Sequence, residues 1–360
     1  MSYFHQHLLN NQFRVSLPSM KNSNKLMKSF ILLSFLISFT ARANVLEFKM
    51  SLGRVVTAEY QKVKGAKETL VLLPGINRSL EMKSESKFFQ AAADYKVNVL
   101  TIATSSHPRS ISALGTNETP VFLENTMTLK DYAAEVEFVI AQLKIVKPFV
   151  ASLSYSSAIL NELDSKKFAG FIEMVPMGDP VEGGDSLTKS ARDYQDFLML
   201  NPFMTGFVRS QRDSAYNSTW TKSVNARLEA DPDFYGPNPR TDDIIAGYVS
   251  LARAAENFRL NRVEFPVRKH FILVDQEEEE RFNLQLKAVQ TENADFQGSM
   301  GFFIVAKSGH VLPSDQPQST LKAVTLIMQM TRANKYQSGV IAGETFVEFT
   351  PAQRKELGLK

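Results

Sequence analysis

The chain contains no cysteine among its 360 residues. This absence excludes disulfide bonds, catalysis by a thiolate and metal sites with cysteine ligands. Histidine is also scarce, and the three histidines beyond residue 43 are far apart in the chain: His107, His270 and His310. No pair of histidines has the spacing of a metal site, and no glycine-rich phosphate-binding motif occurs. The sequence therefore predicts neither a metal nor another cofactor.

Acidic residues are missing from the first 43 residues, which contain five basic ones. Within this segment, three lysines precede the apolar run Phe30–Phe39, and Ala41-Arg42-Ala43 follows it. A basic region, an apolar core of about ten residues and a small-x-small site are the parts of a secretory signal peptide. We therefore expect residues 1–43 to be a cleaved signal peptide and the mature protein to be periplasmic or secreted.

Two alternatives concern this segment. An uncleaved N-terminal membrane anchor would have a similar composition, and Met20 is a candidate native start, which would make residues 1–19 superfluous. The apolar run is short, however, because a membrane-spanning helix needs about 20 residues. We therefore expect no stable transmembrane span in the chain once the signal peptide is cleaved.

The mature chain is nearly neutral. Five of the 41 lysine and arginine residues lie in residues 1–43, so 36 remain against 38 acidic residues. Without a basic surface to neutralise phosphates, a nucleic-acid partner is not predicted.

From residue 44 onward, apolar runs typical of buried strands alternate with amphipathic helices. The predicted strands cover 45–50, 54–60, 68–73, 97–103, the run before Ser154, 169–175, 266–274 and 301–306. The main predicted helices cover 84–95, 129–145, the segment after Ser154, 281–289 and 320–332. Such strands with helical crossovers predict an α/β fold, in which helices cover both faces of a mostly parallel sheet. The first two strands form a hairpin at an antiparallel edge.

The alternation stops between Val181 and Asn261, where aromatic and methionine-rich amphipathic segments replace the strands. We predict a helical insertion, which is either a lid over the substrate or a set of helices that extend the core. The core is then divided into residues 44–180 and 262–335, with the insertion at 181–261. The tail at 336–360 is short and mixed in character, and we assign it no role.

Ser154 lies where a predicted strand meets a predicted helix. Phe149 and Val150 are strand formers, and the apolar residues after the serine have helical spacing. A sharp turn of this kind, with small residues two places before and after a central serine, is the setting of a nucleophile elbow. Ser152 and Ser156 occupy the places where glycine is usual. An ordinary turn or a helix N-cap is the alternative interpretation.

Two further groups follow the ends of later strands: a run of carboxylates within 275–280, and His310. In an open parallel sheet, ligands bind at the carboxyl ends of the strands. A serine hydroxyl needs a nearby base, and histidine is the side chain best suited to exchange its proton. We choose His310 because His107 precedes Ser154 in the chain and His270 lies within an apolar strand.

The order serine, carboxylate, histidine on a parallel sheet resembles the α/β-hydrolases over nearly the whole mature chain. Three segments fall where that family has its oxyanion loop, nucleophile elbow and histidine loop: Leu72-Leu73-Pro74-Gly75, the Ser154 turn and Ser308-Gly309-His310. The resemblance also implies that the backbone N–H groups of Ile76 and Tyr155 stabilise an oxyanion.

The resemblance further implies an acid about five residues beyond the seventh strand, which is Glu279. Three other carboxylates stay open as alternatives: Glu278, Asp275 and Asp179. Each of the four follows the end of a predicted strand.

The sequence thus predicts an exported serine hydrolase that cleaves an ester, thioester or related acyl bond through an acyl-enzyme on Ser154, with His310 as base. The expected substrate is a small-molecule or lipid-like acyl compound. Two other functions fit the same residues: a catalytically inactive, hydrolase-like binding or envelope protein, and an acyltransferase with the same triad. The elbow Ala151-Ser-Leu-Ser154 is similar to that of acyl-transferring thioesterases in the family.

Overall fold

Strands and helices alternate along most of the chain, as predicted. The computed structural model describes residues 44–75, 86–114, 127–177, 221–222, 224–232, 235, 240–255, 269–295 and 299–359. The strands are β1 (Asn44–Lys49), β2 (Val55–Gln61), β3 (Glu68–Leu73), β4 (Val97–Ala103), β5 (Phe149–Leu153), β6 (Gly170–Met174), β7 (Lys269–Val274), β8 (Phe302–Val305), β9 (Ser338–Ala342) and β10 (Thr345–Glu348). The helices are α1 (Lys87–Asp94), α2 (Pro108–Ser112), α3 (Leu129–Gln142), α4 (Ser156–Leu160), α5 (Thr241–Ala255), α6 (Glu279–Asp295), α7 (Leu312–Asp315), α8 (Pro317–Ala333) and α9 (Pro351–Glu356). Residues 224–230 are also helical.

The strands form one mixed sheet in the order β1-β2-β4-β3-β5-β6-β7-β8-β9-β10. All neighbours from β4 to β9 are parallel, whereas β1 with β2, β2 with β4, and β9 with β10 are antiparallel. The predicted parallel sheet and its antiparallel leading hairpin are therefore confirmed. The strand order reverses direction at β3 and β5, and such a reversal creates a crevice at the carboxyl ends of those strands.

Helices cover both faces of the sheet because successive residues of a strand point to opposite sides. In β3, Leu70 and Leu72 pack in the core that includes α1 and α8. Val71 and Leu73 pack in the opposite core, which includes α3 and α4. Burial on both faces explains why these strands are continuously apolar in the sequence.

The segment left without a role, residues 336–360, extends the sheet. Strand β9 lies parallel to β8, and β10 returns antiparallel to β9 as the last strand. Ile341 is buried in the core beside α8, and Phe346 packs against the same core. The tail is therefore an integral part of the core and not an appendage to it.

The predicted insertion at 181–261 is described only in residues 221–222, 224–232, 235 and 240–255, and the last of these ranges contains α5. Helix α5 packs against α3, where Tyr132 and Ser250 share a hydrogen bond of 2.8 Å. Gly247 of α5 allows a close approach to the loop before α2, because a β-carbon there would collide with the carbonyl oxygen of Ser106. Whether the insertion covers a substrate remains a prediction.

The predicted signal peptide at residues 1–43 lies outside the described residues. Within the described ranges, no helix has both the length and the apolar character that crossing a bilayer requires.

Candidate active site

Ser154 forms a strained turn between β5 and α4. Its φ angle is +54°, in the left-handed region that residues other than glycine rarely adopt. The Ser154 N–H donates to the Met174 carbonyl oxygen at 3.0 Å, so the turn is fastened to the end of β6. Strain of this kind persists only where the surrounding structure holds it, and it is a property of nucleophile elbows.

The two serines that replace the usual glycines fit the turn in different ways. Ser156 donates a short hydrogen bond from its hydroxyl to the Pro74 carbonyl oxygen, which ties the elbow to the end of β3. Ser152 is fully buried in β5, and its hydroxyl has no hydrogen-bond partner. The elbow therefore tolerates small hydroxyl side chains where glycine is usual.

The loop after β3 approaches the elbow closely. A β-carbon at Gly75 would lie 3.1 Å from the Leu153 carbonyl oxygen and 3.4 Å from the Ser154 Cβ. Glycine at this position thus lets the loop backbone pass beside the serine. Ile76, the predicted oxyanion donor on this loop, lies outside the described residues. Tyr155, the other predicted donor, stands directly after Ser154 and precedes α4.

His310 is held by a carboxylate, and that carboxylate is Glu277. His310 Nδ1 and Glu277 Oε2 are 2.5 Å apart, and the two side chains are 23% and 3% exposed. Because an ionised carboxylate can only accept, Nδ1 carries the proton. His310 Nε2 is then the acceptor of the neutral ring, which is the state that a general base requires.

Glu277 is fixed by several donors in addition to His310. Its Oε1 accepts from the Glu278 N–H at 3.2 Å and from Arg281 at 3.3 Å. Its Oε2 also accepts from Gln285 at 3.3 Å. A carboxylate held at both oxygens has one orientation, and this fixes the imidazole plane as well.

The surroundings of Glu277 favour its ionised form. Burial alone would raise the pKa of Glu277, but the hydrogen bond from His310, the charge of the His310 ring when it is protonated, and the positive charge of Arg281 outweigh it. The net result is a pKa below the ordinary glutamate value. The carboxylate is therefore ionised and able to stabilise an imidazolium beside it.

The structure pairs His310 with a different carboxylate from the predicted one. Glu279 is exposed and begins α6, and Glu278 is exposed as well. Asp275 is buried and accepts from the Ser308 N–H at 3.1 Å. It therefore contacts the backbone of the loop that contains His310, and not the His310 ring. Asp179 lies outside the described residues. The carboxylate that contacts His310 is Glu277, the third residue after β7, and not one of the four predicted ones.

The loops that follow β7 and β8 are joined to each other. Asp275 N–H donates to the Val305 carbonyl oxygen at 3.4 Å, and Gln276 N–H donates to the Ser308 carbonyl oxygen at 3.1 Å. Ser154 follows the carboxyl end of β5 in the same sheet. The three groups thus share one sheet edge, but Ser154 and His310 share no hydrogen bond in this structure.

His107 and His270 lie elsewhere. His107 caps α2 and lines a small cavity of about 20 Å³ together with Gly75, Ser156 and Tyr248. His270 is buried in β7, accepts from the Gly301 N–H at 2.9 Å and stacks on Tyr336. His270 thus lies within a buried strand, as its apolar neighbours in the sequence predict. Among the residues that the structure describes, no three acidic or histidine side chains gather as a metal site would need.

Comparisons with known proteins identify the fold but no close relative. No protein-family model matches the chain, and no curated protein matches its sequence. A carboxylesterase structure from the thaumarchaeon Nitrososphaera gargenis is 13% identical, with a TM-score of 0.53 over 80% of this chain and 100% of that one. A bromoperoxidase from Bacillus anthracis is 10% identical, with a TM-score of 0.52 over 79% and 100% of the two chains. An α/β-hydrolase from a deep-sea metagenome library of the Medee basin is 11% identical, with a TM-score of 0.50 over 79% and 97%.

Proposed function

We propose that this chain, which has the α/β-hydrolase fold of these solved structures, is an exported serine hydrolase that acts on a carboxylic ester, thioester or related acyl compound. The observation that carries the proposal is the His310–Glu277 pair at the same sheet edge as the strained Ser154 turn. A buried, ionised carboxylate on Nδ1 prepares a histidine to accept a proton at Nε2.

The reaction follows from these groups. His310 Nε2 takes the Ser154 hydroxyl proton while Oγ bonds to the acyl carbon, and the carbonyl oxygen becomes an oxyanion. The Tyr155 and Ile76 N–H groups are the proposed donors to that oxyanion. When the tetrahedral intermediate collapses, the bond to the leaving group breaks and His310 returns the proton to that group. Water then attacks the acyl-enzyme in the same way and releases the acid and free Ser154.

Formation of the serine-to-histidine hydrogen bond is part of this proposal. Hydrogen bonds between catalytic groups are commonly long or absent without substrate and shorten in the substrate complex. Both residues are partly exposed, so an acyl group has access to them from solvent. The proposed substrates are small-molecule or lipid-like acyl compounds, in line with the carboxylesterase among the similar structures.

A fluorophosphonate probe tests the nucleophile. We expect it to label the purified wild-type protein at Ser154, as located by peptide mass spectrometry, and we expect Ser154→Ala to abolish labelling. Ser152→Ala is the matched control, because its buried hydroxyl has no partner to lose, and it should label as wild type does. A folded wild-type protein that stays unlabelled would refute the proposal and favour a binding protein with a hydrolase fold.

Product analysis separates hydrolysis from transfer. Protein that has not been treated with the probe, incubated with an ester and an added alcohol or thiol, should release mainly free acid. A transfer product formed in excess of the acid would identify an acyltransferase instead.

Export has its own test. Protein recovered from the periplasm or medium of an expressing bacterium should have Asn44 as its first residue, because Ala41 and Ala43 supply the small-x-small site. Ala43→Phe should leave the precursor uncleaved. Wild-type protein that keeps residues 20–43 in the membrane fraction would indicate an N-terminal anchor instead.

A further inference from the structure

A cluster of buried charged side chains lies at the end of α4, the helix that follows Ser154. These side chains take no part in the reaction proposed above. Lys269 begins β7 and Glu173 belongs to β6, and their side chains are 2% and 1% exposed. Lys269 Nζ and Glu173 Oε1 are 3.6 Å apart. Glu292 of α6 is a second carboxyl group whose charge interacts with both Lys269 and Glu173. Lysine is almost never fully buried unless it is paired, so the cluster needs an explanation.

The cluster is connected to the nucleophile through Asn161, the residue directly after α4. Lys269 Nζ donates a short hydrogen bond to Asn161 Oδ1. Asn161 Nδ2 donates to the Ser157 carbonyl oxygen at 2.6 Å and to Glu173 at 3.3 Å. Ser157 N–H in turn donates to the Ser154 carbonyl oxygen at 2.9 Å. Three successive hydrogen bonds therefore lead from the buried ammonium group to the strained serine.

Helix α4 needs such support. It has only five residues, Ser156–Leu160, and so short a helix is unstable without tertiary contacts. Its first turn must also hold Ser154 at φ +54°. From the other end of the helix, the Asn161 side chain donates to the Ser157 carbonyl oxygen in this first turn, and Lys269 fixes the orientation of that side chain.

Stability alone is a weak reason to keep these charges. A well-packed apolar pair of similar volume commonly equals or exceeds a buried ion pair in stability. An apolar side chain, however, cannot donate a hydrogen bond to Asn161 Oδ1. The ammonium group therefore supplies orientation that packing does not.

We propose that Lys269, Glu173 and Asn161 form a positioning network that holds the Ser154 turn in its reactive geometry. The inference rests on the proposed function, since it assumes that Ser154 is the nucleophile. None of the three lies at the reacting atoms, so they are positioning residues. Their effect should appear in the rate at which Ser154 reacts and not in substrate binding.

The test measures the rate constant of fluorophosphonate labelling together with the free energy of unfolding in urea. We expect Lys269→Met to lower the labelling rate constant by about tenfold or more, because small displacements of a nucleophile have large kinetic effects. His270→Leu is the matched control. His270 is the next residue of β7, is equally buried and bonds to Gly301 on the opposite face. The variant His270→Leu should be less stable than wild type, while its Ser154 is labelled at the wild-type rate.

Two more variants separate orientation from stability. The double variant Lys269→Met, Glu173→Met removes the unpaired charge, so it should regain stability but still label slowly. Asn161→Ala leaves the ion pair in place and should also label slowly, which keeps the test valid if Lys269→Met fails to fold. Wild-type labelling rates in the double variant or in Asn161→Ala would overturn the network. An unlabelled wild-type protein would instead overturn the proposed function, so the two failures are distinct.

Discussion

Replacing Glu277 with Gln is expected to lower kcat/KM for an ester substrate by about a thousandfold to ten-thousandfold. The neutral amide no longer stabilises the imidazolium that forms when His310 takes the serine proton. The amide can also donate to Nδ1, which moves the ring proton to Nε2 and removes the base. The fold should survive, because Gln retains an oxygen that accepts from Arg281 or Gln285. The measurement is ester hydrolysis at saturating and limiting substrate, with far-ultraviolet circular dichroism to verify folding.

Two neighbouring carboxylates supply the controls. Glu278→Gln and Glu279→Gln remove the same charge within two residues of Glu277, but both side chains are exposed. We expect either variant to keep kcat/KM within about twofold of wild type, as is usual for surface substitutions. Loss of activity in Glu279→Gln with full activity in Glu277→Gln would contradict the pairing in the structure and restore the prediction from sequence.

The central strands could be predicted from the sequence because the pattern that marks a buried strand lies within the strand's own residues. The predicted bounds 68–73 and 97–103 equal those of β3 and β4. Both strands are buried on two faces, so each is a continuous apolar run that ends abruptly at polar or turn residues. Parallel pairing then follows from the helices between the strands, which determines the sheet edge at which Ser154 and His310 lie.

The hairpin of β9 and β10 lacks such a continuous apolar run. Strand β9 contains Ser338 and Gly339, and β10 is partly exposed along its whole length. Edge strands are short and polar, so hydrophobic patterning distinguishes them poorly from loops. Their place in the sheet depends on contacts such as that between Phe346 and Phe303, which are remote in sequence.

Glu277 was not among the predicted carboxylates because their positions were inferred from an offset beyond the strand. Four consecutive glutamates give no reason to choose one by composition. Spacing does give one, since Arg281 and Gln285 follow Glu277 at intervals of four, and both donate from α6 to this carboxylate, which precedes the helix. A carboxylate with such partners is oriented, whereas Glu279 faces solvent.

The second large expected effect concerns stability and pH. Glu135 of α3 is fully buried and accepts from the Ser105 N–H at 2.8 Å and the Ser105 hydroxyl at 2.6 Å. Arg54 lies 2.9 Å from the same carboxylate. Burial nevertheless dominates over these partners and raises the pKa of Glu135 from 4.5 to about 7.

The sign of the effect follows from proton binding. Between pH 4.5 and about 7, the folded protein holds a proton on Glu135 that the unfolded chain has released, so stability falls as the pH rises. The full contribution is about 3 kcal/mol, present below pH 4.5 and lost above pH 7. Because Glu292 has a pKa raised in the same direction, the wild-type slope alone does not isolate Glu135.

The difference in the free energy of unfolding between a Glu135 variant and wild type isolates the contribution of Glu135. In Glu135→Gln, the free energy of unfolding relative to wild type should change by about 3 kcal/mol between pH 4.5 and 8, in favour of the variant at high pH. Glu137→Gln removes a carboxylate from the same helix that is partly exposed and pairs with Lys167, and it should follow the wild-type pH dependence. If urea unfolding gives parallel pH curves for Glu135→Gln and wild type, Glu135 has the same proton affinity in the folded and unfolded chain. Its bonds to Ser105 and Arg54 would then offset the whole cost of its burial.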